Sequence, residues 1–115
     1  MVNNEDDKTS EGYEYELIKE YTTIQLAEKI IDTQKFIDSA YKELAHIAFV
    51  APLGDIRHEM YAFLNDTYVG LEKCTYDMRL LYTNYNSMEL ALRFIILEKA
   101  KDRLVQCPYF KNNHL

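Results

Sequence analysis

Apolar residues recur along this chain at helical spacing, in three long stretches separated by two short breaks. In the first stretch Leu17, Tyr21, Ile24, Ala27, Ile30 or Ile31, Ile37, Tyr41, Leu44 and Ala48 hold a single helical phase. That phase predicts a helix beginning near residue 13, about 37 residues and about 55 Å long. The stripe turns polar for one turn at Asp32, Thr33 and Gln34. Either one helix runs through with a kink, which the unbroken phase favours, or Asp32 or Thr33 caps a second helix there.

The strongest punctuation is Ala51, Pro52, Leu53, Gly54 and Asp55. Pro52 disfavours helical backbone at Ala51, Gly54 supplies a turn and Asp55 is a good helix cap. A second helix is then expected to about Tyr85. Its seam of Met60, Leu64, Thr67, Leu71, Cys74, Met78, Leu81 and Tyr85 alternates steps of four and three. Tyr61, Tyr68, Thr75 and Tyr82 widen that seam into the stripe of a helix touching two neighbours.

Asn86 and Glu89, spaced as a capping box, open a third helix that Pro108 ends. Residues 88–97 read Met-Glu-Leu-Ala-Leu-Arg-Phe-Ile-Ile-Leu, apolar on nearly every side, with Arg93 and Glu89 as the only strip for water. Short connections make consecutive helices antiparallel neighbours. The expected fold is therefore all-α, an antiparallel helical bundle made of a long α-hairpin plus a shorter third helix. It becomes four helices if the first breaks near Asp32.

The third helix, about 30 Å long, cannot reach the far end of so long a hairpin. Phe36, Ile37, Tyr41, Ile47, Phe49, Ile56 and Phe63 project there. An over-apolar helix and an under-covered hairpin both predict an oligomer, with a homodimer as the simplest form. The interface residues expected are Leu92, Ile95, Ile96, Phe49 and Phe63. Tyr61 and Tyr68 are expected at the rim, where phenols suit contact with a partner.

Charge adds an asymmetry. The net charge is −6, but residues 1–16 set six acids against Lys8, so the remainder is nearly neutral. Residues 1–12 read as a disordered acidic tail, 13–107 as the bundle domain and 108–115 as a C-terminal tail. Arg93, Lys99, Lys101, Arg103 and Lys111 make the C-terminal end mildly basic. They are the one candidate nucleic-acid patch, although lysine and arginine at a helix C-terminus also suit its dipole. No apolar run has the length of a membrane span and no signal-peptide core is present, so a cytoplasmic protein that does not enter membranes is expected.

Little chemistry is organised. Glu43 and His46 form a single Glu-x-x-His pair, whereas di-metal bundles need two such pairs and further glutamates. His58-Glu59 lacks the second histidine of a zinc-protease helix, because Ala62 stands in its place. Cys74 is expected on the buried seam, where a thiol is inert, and Cys107 near the helix end. With glycines only at 12, 54 and 70, no phosphate-binding loop is possible. No catalytic residue, metal site or cofactor is expected.

The function read from these features is a non-enzymatic, protein-binding helical bundle: an inhibitor, an immunity-type factor or a small accessory subunit. The alternative is a nucleic-acid-associated accessory protein using the basic patch. A metal-binding bundle enzyme built on Glu43 and His46 ranks last.

Overall fold

A computed structural model of the chain describes residues 12–47, 50–71 (backbone only at 69–71), 76–108 and 110. Among these residues the chain is all-helical, without strands, and has five helices. They are α1 (Tyr13–Glu20), α2 (Thr23–Ile47), α3 (Ile56–Leu71), α4 (Met78–Asn84) and α5 (Ser87–Gln106). Residues 1–11 of the acidic tail, Ala48, Phe49, Cys74, Thr75, Tyr109 and Lys111 lie outside the described residues.

The first long helix does break, but at Tyr21 and Thr22 rather than near Asp32. Thr22 Oγ1 accepts from the Gln25 backbone N–H at 3.1 Å, and Gln25 Oε1 accepts from the Thr22 N–H at 2.9 Å. This reciprocal capping box satisfies two of the donors that a helix start leaves open. Tyr21 is extended, at φ −123° and ψ 144°, and Lys29 lies over its ring at 4.4 Å.

Helix α2 is continuous through Asp32, Thr33 and Gln34. Asp32 is exposed, but the other two residues of the polar turn face inward, with Thr33 buried and Gln34 only 1% exposed. The Thr33 hydroxyl donates to the Lys29 carbonyl at 2.7 Å, which removes the cost of burying it.

The turn at 51–55 forms where the sequence places it. Gly54 adopts the left-handed conformation at φ 88°. Asp55 accepts from the Arg57 backbone N–H at 2.9 Å, capping α3. The Arg57 guanidinium grips the same carboxylate at 2.8 and 2.6 Å and holds its pKa well below the usual carboxylate range. His58 Nε2 lies 3.1 Å from the Ala51 carbonyl, closing the loop on itself.

The second expected helix is likewise divided. Tyr76 and Asp77 are not helical, and the Asp77 side chain accepts from the Arg79 N–H at 3.0 Å to start α4. Met60, Leu64 and Leu81 of the predicted seam are buried.

Helix α5 begins at the Asn86–Glu89 capping box, with both hydrogen bonds present at 3.0 and 2.8 Å. It ends at Gln106, before Pro108. Its neighbours explain its composition. Among the described residues the most extensive packing is α2 on α5, and α1 and α3 also lie against α5. Because the chain turns at Thr22, α1 reaches a side of α5 that a straight hairpin would leave bare. Leu17 is buried there, and the Tyr13 hydroxyl donates to Glu98 Oε1 at 3.1 Å.

The cover is therefore largely internal. Ile37 and Ile47, expected to project from an uncovered hairpin end, are buried within the chain's own core. Arg93, expected on the water-facing strip, is also buried, its guanidinium 5.4 Å from the Tyr85 ring centroid.

Candidate interaction surface

On α5, the exposed positions are Glu89, Leu92, Ile96, Lys99, Arg103 and Gln106. They follow steps of three and four residues, so they form one line along the helix. Polar residues at five or six such positions would be ordinary. Here the centre of the line is apolar, with Leu92 45% and Ile96 42% exposed. Their Cβ atoms, one turn apart, are spaced by about 6 Å and make a single ridge.

Ile95 does not belong to that ridge. It turns about 100° away from Ile96, joins the internal core cluster and is 8% exposed. Its expected place in an interface is corrected by this packing.

Tyr61, Tyr68 and Phe63 are half-buried and engaged within the chain. Tyr61 stacks on Tyr41 with ring centroids 5.3 Å apart, and Tyr68 meets the edge of Tyr41 at 5.0 Å. The Tyr41 hydroxyl donates to Asn65 Oδ1. Hydrogen bonding with Tyr61, then burial and the nearby Asp38 charge, raise the Tyr41 pKa. Asp38 accepts from Tyr68 at 3.3 Å and from Tyr76 at 2.7 Å, and Lys42 approaches the same carboxylate at 3.8 Å. Asp38 thus ties both α3 and the residues before α4 to α2. Sequence reading missed it; the Asp38–Lys42 spacing of four was its only visible signal.

Among the described residues the candidate basic residues Arg93, Lys99, Lys101 and Arg103 are not gathered into one patch. Successive steps of two turn about 200° around a helix, so Lys101 leaves α5 on the opposite side from Lys99 and Arg103. Lys101 lies over the Phe36 ring at 5.0 Å and Arg103 over Phe63 at 4.2 Å. With Arg93 buried, Lys99 and Arg103 are the neighbouring exposed pair.

Glu43 lines a cleft of about 220 Å³ with Phe36, Ser39, Ala40 and Phe110, while His46 is exposed. Among the described residues no group of three or more metal-ligating side chains converges. Cys107 is buried. A second cleft, of about 400 Å³ between α2 and α5, mixes Lys29, Lys101, Asp32, Glu98 and Asp102 without converging on one charge. No helix of the described residues is long and apolar enough to cross a membrane.

A second set of exposed aliphatic residues sits at the α2–α3 turn, where Leu53 is 97% exposed beside Val50 and Ile56. The charges next to it, Asp55 and Arg57, are already committed to each other.

No protein-family model, curated protein or solved structure matches this chain.

Proposed function

We propose that this protein is a non-enzymatic helical bundle that works by binding protein, as an inhibitor, immunity-type factor or small accessory subunit. The observation that carries this reading is the ridge of Leu92 and Ile96 on the outer line of α5. The other apolar side chains of that helix are largely covered by its own chain, so these two residues are the part of its apolar surface left for a partner. The partner suited to it is a protein surface with an apolar ridge of its own, acidic opposite Lys99 and Arg103 and basic opposite Glu89.

The test is differential capture from native cells by the unmodified chain and by Leu92→Glu. A partner identified this way should, with purified components, bind Leu92→Glu at least about tenfold more weakly. Equal binding by the two chains would refute the role of the ridge.

A further inference from the structure

We infer that α5 also pairs with α5 of a second copy of this chain, antiparallel, about a two-fold axis beside Phe94. The inference rests on the preceding reading of the outer line of α5 as an interaction surface and names its occupant. In an antiparallel pair of identical helices, residues equally distant from the axis on either side face each other. About Phe94, Leu92 of one copy meets Ile96 of the other, and Glu89 meets Lys99. Each contact occurs twice by symmetry, so four successive layers join apolar to apolar and acid to base.

Other alignments of the same line lack this match. A parallel pair sets Glu89 against Glu89 and Lys99 against Lys99. Sliding the antiparallel pair by one heptad in one direction puts Leu92 on Arg103 and Ile96 on Lys99. Sliding it the other way puts Leu92 on Glu89. Charge therefore disfavours each of these alignments, and the register about Phe94 is the one that uses Leu92, Ile96, Glu89 and Lys99 together.

Helix α5 is also prepared for the contact. Glu89 Oε1 is fixed by the Asn86 N–H at 3.0 Å, so its carboxylate is already placed and loses little freedom on pairing. The seam has only two apolar residues per copy, so association should depend on concentration rather than be permanent. The aliphatic residues at the α2–α3 turn offer no such self-complementary arrangement, because their neighbouring charges pair locally.

Sedimentation equilibrium of the full chain from about 10 μM to about 1 mM tests this. The average mass should rise towards that of a dimer. Glu89→Lys and Lys99→Glu should each shift association to concentrations about tenfold higher, since each creates two like-charge contacts. Mixing the two variants should restore it, because two lysines on one chain then face two glutamates on the other. Glu89→Lys also removes the cap of α5, but that is a defect of a single chain which mixing cannot repair, and Lys99→Glu leaves the cap intact.

A chain monomeric to about 1 mM, a dimer insensitive to both reversals, or a mixture that fails to recover would each overturn the inference. A monomeric chain whose partner still needs Leu92 would remove self-pairing alone. A dimer that binds that partner equally with or without Leu92 would remove only the other proposal.

Discussion

Glutamate placed at Ile95 and at Leu92 should give opposite results, although the positions are one turn apart on the same helix. Ile95 is 8% exposed, so losing it forfeits about 2 kcal/mol of apolar burial. Its replacement must remain charged in the core or take up a proton. Holding a carboxyl of ordinary pKa ~4.3 neutral at pH 7 costs about 1.36 kcal/mol per unit, or ~4 kcal/mol. Together these reach about 6 kcal/mol. A chain of 115 residues has a total stability of about 6–17 kcal/mol, at ~0.05–0.15 kcal/mol per residue. Ile95→Glu should therefore remove from about a third to all of the chain's stability. Leu92→Glu, at a position 45% exposed, should cost about 1 kcal/mol or less.

Urea denaturation followed by circular dichroism, at low protein concentration so that self-association contributes nothing, separates the two. Acidification supplies a second check with a definite sign. The introduced carboxyl would have a folded-state pKa above its unfolded value, so its penalty shrinks as pH falls. Ile95→Glu should regain up to about 2.7 kcal/mol between pH 7 and pH 5 relative to the unmodified chain. The assignment of Ile95 to the interior would fail if Ile95→Glu unfolded at the native urea concentration, or if Leu92→Glu lost as much.

Two further perturbations probe the contacts that hold outlying elements to the core. Burial, then the Glu98 charge and hydrogen bond, push the Tyr13 pKa up to about 12 from 10.0. This contribution is complete below pH 10 and is lost as pH rises towards 12. Tyr13→Phe should remove that loss, about 1 kcal/mol after solvent screening; parallel melts of the two proteins at pH 9 and pH 11.5 measure it, and identical pH dependence would refute it. Asp38→Ala removes the acceptor shared by Tyr68 and Tyr76 and should cost about 1–2 kcal/mol in urea denaturation. Asp38→Asn, which keeps an acceptor oxygen, should cost less, and native stability in both variants would remove the tie.

The sequence was most legible where polar side chains close a helix end. Asn86 with Glu89, and Asp55 after Gly54, stand where the structure uses them. It was least legible where the apolar phase survives a break. Leu17, Tyr21 and Ile24 keep a single phase across the turn at Thr22, so periodicity hides the turn; the Thr22-x-x-Gln25 pair was its visible signal. Asp77 similarly caps α4 inside a seam that counts smoothly by threes and fours. Helix α5 posed a different difficulty. On a helix apolar on almost every side there is no contrast to reveal which face points inward, so Leu92, Ile95 and Ile96 looked equivalent. Packing of α1, α2 and α3 distinguishes them. The same cover buries Arg93, whose charge alone had suggested water.

The pairing of α2 with α5 has a consequence for how the protein is made. These helices share the most extensive packing among the described residues, yet α2 ends at Ile47 and α5 begins at Ser87. A growing chain displays Leu26, Ile30, Ile37 and Leu44, all fully buried in the finished protein, well before their chief partner has been synthesised. At about 5–20 residues per second, the intervening segment alone occupies several seconds of translation. Throughout that interval the part of the α2 face that α5 covers stays exposed, and docking of α5 is what withdraws it.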